Sequence, residues 1–148
     1  MPDTIDHFMT SSVFTISSDR TLQDAHQLMR EHKIRHLPVL RAGALVGLVT
    51  ERDLSFVESL KDVDPSKTRV DDAMSQDVFS VSPDASLAEV CRRMAKEKLG
   101  SAVILEGRKV VGIFTAIDAL RTLDFVLTAP PVAAALRSAI VPTESTPS

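Results

Sequence analysis

One long stretch of this chain is written twice at a constant offset of 65 residues, Val13 returning as Val78 and Asp53 as Asp118. Val13-Phe14-Thr15-Ile16-Ser17-Ser18-Asp19 becomes Val78-Phe79-Ser80-Val81-Ser82-Pro83-Asp84. Gly47-Leu48-Val49-Thr50-Glu51-Arg52-Asp53 becomes Gly112-Ile113-Phe114-Thr115-Ala116-Ile117-Asp118. Met9, Leu22, Met29, Lys33, Leu40 and Val46 return as Met74, Leu87, Met94, Lys98, Leu105 and Val111. A fixed period of this kind means one supersecondary unit used twice, because a single copy does not cover its own apolar face. A site built at the junction then comes as a pseudo-twofold pair.

Both copies predict the same order of elements. The β-branched and aromatic run Val13–Ile16 is a strand signal, followed by a turn over 17–20. Thr21 with Asp24 three residues on is a capping box, and Leu22, Ala25, Leu28 and Met29 place one apolar stripe on a helix over 22–32. Ser86 and Glu89 take the cap roles in the second copy, with Leu87, Val90 and Met94 as the stripe. Strands follow over 37–40 and 102–105. Hairpin connections at 41–44 and 106–109 lead to runs over 45–49 and 110–114 that are apolar on both faces and therefore central. Pro38 lacks a ladder donor, so its strand is expected at an edge or irregular there. Second helices start at Glu51 and Ala116. The polar joint 62–72 reads as a loop running into a short helix near Val70–Met74, and residues 3–9 read as a less well-formed version of it. The chain thus divides into a first repeat, 1–62, a second repeat, 63–127, and a C-terminal extension, 128–148. In the extension Pro130-Pro131 ends the last helix, Val132–Ile140 reads as a short apolar helix and the remainder as a frayed tail.

Composition narrows the function. The 148 residues are 44% hydrophobic, enough for one compact domain or two packed halves, and carry a net charge of −3. That charge, with no Trp, no Tyr and six Phe, leaves neither the electrostatic footprint nor the stacking platform of a nucleic-acid binder. Cys91 is the single cysteine, so no internal disulfide forms and a reducing compartment is expected. No signal peptide is visible at the N-terminus, and no apolar run approaches the roughly 20 residues of a membrane span. A cytoplasmic protein with no membrane partner is the expectation. Cys91 has no identifiable paired base, and His26, His32 and His36 lack a completing ligand spacing, so neither a nucleophile nor a metal site is expected. No nucleophile–base–orienter constellation indicates an enzyme.

The pattern that carries chemistry is Gly-Φ-Φ-Thr-x-x-Asp, with Φ apolar, where a buried strand enters a helix. Thr50 and Thr115 fall at the N-cap and Asp53 and Asp118 at the third helical position, which by itself is a capping box. The same geometry suits a nucleotide. A helix N-terminus offers free N–H groups and a positive dipole end to phosphate. A Thr hydroxyl there can donate to that phosphate, and a carboxylate one turn along accepts both hydroxyls of a ribose. Gly47 and Gly112 would allow close backbone approach.

With this motif duplicated in register, the Val-Phe-Thr-Ile opening and the segment Ile34-Arg35-His36-Leu37-Pro38-Val39, the chain resembles a CBS-domain pair, or Bateman module, over roughly residues 5–125. The resemblance implies an α+β fold of two β-α-β-β-α repeats packed sheet to sheet with pseudo-twofold symmetry and two clefts between them. It implies a regulatory module for an adenosine-containing ligand (AMP, ADP, ATP or S-adenosylmethionine) with no catalytic cofactor. In the first cleft it puts Thr50 and Asp53 on phosphate and ribose, Leu48 against the base, and Arg35 and Arg52 near the phosphates. Val78, Phe79 and Ser80 would come from the other repeat. In the second cleft Thr115 and Asp118 take these roles with Ile113, joined by Phe14 and Thr15, and bordered by His36. The copies differ at Arg35, His36 and Arg52, replaced by Gly100, Ser101 and Ile117, so phosphate-rich ligands are expected where Arg35 and Arg52 serve, the alternative being that Arg35 and His36 reach across into the second cleft. The resemblance further implies a homodimer through the second helices and an unidentified regulated protein. The alternative is a structural or oligomerisation module with vestigial clefts.

Overall fold

In the computed structural model, which describes residues 3–129, two three-stranded sheets each carry two helices. The first half runs β1 (Ile16–Ser17), α1 (Leu22–His32), β2 (His36–Arg41), β3 (Ala44–Thr50), α2 (Glu51–Glu58). The second runs β4 (Ser80–Val81), α3 (Leu87–Glu97), β5 (Ser101–Glu106), β6 (Lys109–Thr115), α4 (Ala116–Thr128). This is the β-α-β-β-α order twice, an α+β fold. In both sheets the short first strand pairs parallel with the second, which pairs antiparallel with the third. The sheets meet through β3 and β6. The helix expected over Val132–Ile140 and the tail after it lie outside the described residues.

Local chemistry explains the element boundaries. Thr21 accepts a hydrogen bond from the Asp24 N–H at 3.1 Å, and Asp24 accepts from the Thr21 N–H at 3.3 Å. That closes the capping box and fixes where α1 begins. Ser86 accepts from the Glu89 N–H at 3.2 Å but receives no reciprocal bond, so α3 is capped on one side only. Both helices end in a left-handed residue, Lys33 at φ 55 and Lys98 at φ 58, which turns the chain toward the next strand.

Pro38 lies in a central strand, not at an edge: β2 is flanked by both β1 and β3. The strand tolerates it because β1 is only two residues long and pairs with Val39 and Leu40, leaving Pro38 beyond its end. A register shift follows at Val39–Leu40, so the strand is irregular beside the proline.

The halves are crossed at their leading segments. A single helical turn at Ile5–His7 precedes the first repeat, yet it packs on the second. The Ile5 N–H donates to the Ala85 carbonyl at 2.8 Å, the Leu87 N–H donates to the Asp3 carbonyl at 2.9 Å, and Ile5 is fully buried in the core of Val90, Met94, Ile104 and Phe114. The matching turn at Val70–Asp72 precedes the second repeat and packs on the first. The Val70 N–H donates to the Arg20 carbonyl at 2.7 Å, and Val70 is buried with Leu22, Leu37, Val49 and Leu54. Neither core is complete without a segment from the other side of the repeat boundary.

Gly47 and Gly112 are where these segments dock. A Cβ on Gly112 would run into the Met9 side chain, and one on Gly47 into Met74 Sδ, with the Ser75 carbonyl oxygen at 2.9 Å. The space at these glycines is filled by methionine side chains. Gly47→Ala should cost about 1–3 kcal/mol by overpacking. Gly112→Ala should cost less, because the Met9 side chain can yield where the Ser75 backbone cannot, and Met9→Ala should restore part of the loss. Urea denaturation of the variants checks this; equal costs at both glycines would show that backbone contact is not what distinguishes them.

Candidate ligand-binding cleft

Thr50 and Thr115 do cap α2 and α4. Thr50 accepts from the Asp53 N–H at 3.1 Å while its own N–H donates to Asp53 Oδ2 at 2.9 Å. Thr115 accepts from the Asp118 N–H at 3.2 Å, its N–H donates to Asp118 Oδ2 at 2.9 Å, and its hydroxyl approaches the same oxygen at 3.1 Å. The two carboxylates differ at the other oxygen. Asp118 Oδ1 accepts the Thr10 hydroxyl at 2.9 Å, and an Arg121 guanidinium nitrogen lies 3.5 Å away. Asp53 Oδ1 receives no side-chain donor among the described residues. Asp118 is correspondingly buried, at 6% exposure, and Asp53 only half-buried.

A cleft of about 750 Å³ opens over Thr115, Asp118 and the first turn of α4. It combines both repeats. Phe14, Arg35 and His36 from the first line it together with Ile113, Thr115 and Asp118 from the second. Sequence reasoning missed Thr10, His32, Lys33 and Arg121, which also line it. Arg121 stands one helical turn after Asp118, a spacing that puts both on one face, and Lys33 and His32 belong to the turn leading to Arg35. The remaining proposed positions lie elsewhere. Thr15 lines a separate surface hollow against α1. Leu48 exchanges backbone hydrogen bonds with Ser75, at 2.9 and 2.8 Å. Thr50 and Asp53 form their capping box, and Arg52 is exposed on α2 and is not among the residues that line this cleft. Val78 is half-buried, Ser80 begins β4, and Phe79 packs on the second core with the Arg93 guanidinium 4.7 Å above its ring.

Electrostatically the cleft is cationic. His32, Lys33, Arg35, His36 and Arg121 surround one carboxylate, Asp118. Arg35 reaches Glu51 at 3.7 Å, but both are well exposed, so that contact holds it weakly. Burial, reinforced by the neighbouring Arg35 charge and opposed by Asp53, lowers the His36 pKa below its ordinary value. His36 sits across the ladder from Thr50, and its Nε2 would lie 3.2 Å from a Cβ at Gly100. The second copy's lack of a side chain at Gly100 is thus what makes room for the first copy's His36. Among the described residues no three His, Cys, Asp or Glu gather as a metal site.

Phe14 enters this cleft because of Pro38. In the second half the Val103 N–H donates to the Phe79 carbonyl at 2.9 Å and draws that segment onto the sheet. Pro38 occupies the position of Val103 and has no N–H, so the corresponding bond to Phe14 cannot form. Both first strands are two residues long where 13–16 was expected for the first, but β1 starts at Ile16 while β4 starts at Ser80, the equivalent of Thr15, and Phe14, 38% exposed, stacks on His32 with ring centroids 3.6 Å apart.

Two three-stranded α+β units, crossed at their leading segments and enclosing a cleft at a helix N-terminus, define a tandem-repeat module. A family model for the CBS domain matches residues 5–58 and 70–124, and the chain belongs to the CBS domain family. The CBS domain-containing protein YhcV of Bacillus subtilis is 32% identical over 110 residues, covering 74% of this chain and 78% of that one. The crystal structure of a putative acetoin utilization protein (AcuB) from Vibrio cholerae superposes with a TM-score of 0.79 at 31% identity, covering 86% of this chain and 94% of that one. The CBS domain pair of protein MJ0100, solved with 5′-methylthioadenosine and S-adenosyl-L-methionine, shares the fold with a TM-score of 0.76 at 23% identity, covering 84% and 98%. The inosine-5′-monophosphate dehydrogenase of Korarchaeum cryptofilum is 35% identical over 112 residues, but these make up only 22% of that enzyme.

Pro38→Val, which copies Val103, should restore a donor to the Phe14 carbonyl. The new amide at residue 38 is expected to resist hydrogen exchange and the Phe14–His32 nuclear Overhauser contacts to fade. A rapidly exchanging amide with the stack intact would show that something other than Pro38 releases Phe14.

Proposed function

We propose that this protein is a regulatory module that binds an adenosine-containing ligand in the Thr115–Asp118 cleft and passes occupancy to a separate, regulated protein in the cytoplasm, without catalysing a reaction. The observation that carries this reading is the cleft itself: a helix N-terminus, a buried carboxylate in its first turn and a basic rim, beside the apolar face of Phe14. The α4 dipole and the rim favour phosphate. AMP, ADP and ATP fit that charge better than S-adenosylmethionine, whose sulfonium is cationic, although the MJ0100 complexes support an adenosyl ligand in this fold. Arg35 serves this cleft, so we assign the phosphates here and not beside Thr50, Asp53 and Arg52.

A ligand that binds only the native state raises its melting temperature, by about 2.7 kcal/mol of stabilisation at a hundredfold excess over Kd. Thermal shifts should be larger for ADP and ATP than for S-adenosylmethionine or NAD. Asp118→Ala should remove the shift and Asp53→Ala should keep it. The pH dependence has a definite sign. His36 holds its proton more weakly in the folded protein than in the unfolded chain, so it contributes stability above its ordinary pKa that is lost as pH falls. A bound anion reverses this by favouring imidazolium, so nucleotide binding should tighten from pH 8 to pH 6 in wild type and less so in His36→Gln. No shift with any nucleotide would leave the reading of a structural module with vestigial clefts.

That second reading draws on the exposed apolar face, which also fits a homodimer. Ile117, Leu120, Leu123 and Leu127 line one side of α4, and Phe56 and Leu60 stand exposed on and just after α2. A contiguous apolar face of this kind on both second helices suits an isologous contact between two copies. Sedimentation of wild type should give a dimer at micromolar concentration and Leu120→Asp a monomer that still folds; a monomeric wild type would remove the dimer.

A further inference from the structure

Thr10 reaches the ligand cleft from the opposite end of the chain and touches Asp118 directly. Its main chain is fixed on β6: its N–H donates to the Ile113 carbonyl at 2.8 Å, and it accepts from the Ile113 N–H at 3.0 Å. The neighbouring Met9 fills the space left by Gly112. From that anchored position the hydroxyl donates to Asp118 Oδ1 at 2.9 Å, while Thr115 supplies the donors on Oδ2. The other half supplies an internal control. Ser75 holds the position of Thr10 and makes the same paired backbone bonds, to Leu48 at 2.9 and 2.8 Å. Asp53 nevertheless caps α2 without a hydroxyl from Ser75. The Thr10 hydroxyl is therefore not needed to close the capping box or to dock the leading segment. What it sets is the direction of one carboxylate.

A carboxylate has about four acceptor positions, two on each oxygen. With Thr10 on Oδ1 and Thr115 on Oδ2, the carboxylate is held in one rotamer, and the other position on Oδ1 faces only the exposed Arg121 guanidinium, which at 3.5 Å makes no hydrogen bond there and can swing aside. We propose that Thr10 is a positioning residue of the cleft: its hydroxyl fixes the Asp118 carboxylate so that the remaining acceptor position on Oδ1 receives a ribose hydroxyl. This rests on the adenosine reading above and adds to it a ribose-selecting contact from the N-terminal segment.

Calorimetric titration of the full chain with ADP, 2′-deoxy-ADP and tripolyphosphate tests it, using wild type, Thr10→Val, Thr10→Ala and Thr10→Ser. Wild type should prefer ADP to 2′-deoxy-ADP. Thr10→Val should weaken ADP about 10- to 100-fold, the range for losing a hydrogen bond to a charged group, and bring it level with the deoxynucleotide. Tripolyphosphate binding should be unchanged, which a merely structural defect would not allow, and Thr10→Ser should restore the preference. Thr10→Ala gives the same readout if the valine variant does not fold. Undiminished ribose preference in both the Val and Ala variants overturns the role of Thr10 and leaves the adenosine reading intact. Loss of tripolyphosphate along with ADP also overturns it, because Thr10 would then act through the fold. Wild type that binds tripolyphosphate but neither nucleotide refutes the adenosine reading, and the proposal falls with it.

Discussion

Everything in this structure depends on two methionines set into two glycine gaps. Met9 lies where a side chain on Gly112 would stand, and Met74 where one on Gly47 would stand. Each glycine sits in the third strand of a sheet, and each methionine arrives from the segment preceding the other repeat. Ile5 and Val70, in the short turns next to them, are fully buried in the core of the half they do not lead into. Burying a side chain of this size contributes about 1.5–3 kcal/mol, so either half taken alone would lose a large part of what holds it together. The duplication is therefore not two domains on a string. The halves are mutually required, and the crossing also carries Thr10 to Asp118, so one constraint supplies both the core and one wall of the cleft.

The two halves share a topology but differ at most positions, and several of the differences that matter gather at one cleft. Pro38 removes a backbone donor, which detaches Phe14 from its sheet, whereas Val103 keeps Phe79 attached. The freed ring then finds His32, whose counterpart is Glu97. Gly100 leaves room for His36, while the first copy has Arg35 in the position of Gly100 and keeps its guanidinium at the cleft. A symmetric duplication would place equal charge at both sites. Here the cationic residues of the first copy and the empty positions of the second face the same space. The asymmetry thus concentrates five basic side chains around Asp118 and leaves Asp53 half-buried in its capping box.

The fold was legible because each signal that specifies it is local. Capping pairs, the helical stripes and the apolar third strands all lie within a few residues of one another and recur in both copies. The site was legible only in part. Thr115 and Asp118 announce themselves by their spacing, and Arg35 and His36 by having no counterpart. What the sequence did not reveal was which cleft Arg35 enters, since that depends on the left-handed turn at Lys33 and on the space at Gly100. The crossing was hidden for a related reason. Met9 and Met74 do repeat at the period, but a repeat shows that two positions are equivalent, not which half each one packs against. Pro38 allowed two readings, an edge strand or an irregular one, and the second holds: the missing donor belongs to a central strand whose neighbour stops short.

Helix α4 is where the cleft and the exposed apolar face meet. Asp118 lies in its first turn, buried and bonded to Thr10, while Ile117 and Leu120 on either side of it in sequence point outward at 54% and 61% exposure. A helix is stiff over one turn, so the direction of that apolar stripe is tied to how the first turn is held. Its restraints are the Thr115 cap, the sheet beneath, and a hydroxyl from the N-terminal segment. A ligand that engages Asp118 works on the same few atoms. If this cleft takes a ligand, transmission from it needs no long chain of contacts: the Asp118 bonds that would receive the ligand and the face that would receive a second molecule belong to the same short helix. The first half lacks that arrangement, because its Asp53 is held by its cap alone, and occupancy there would leave the α4 stripe where it is.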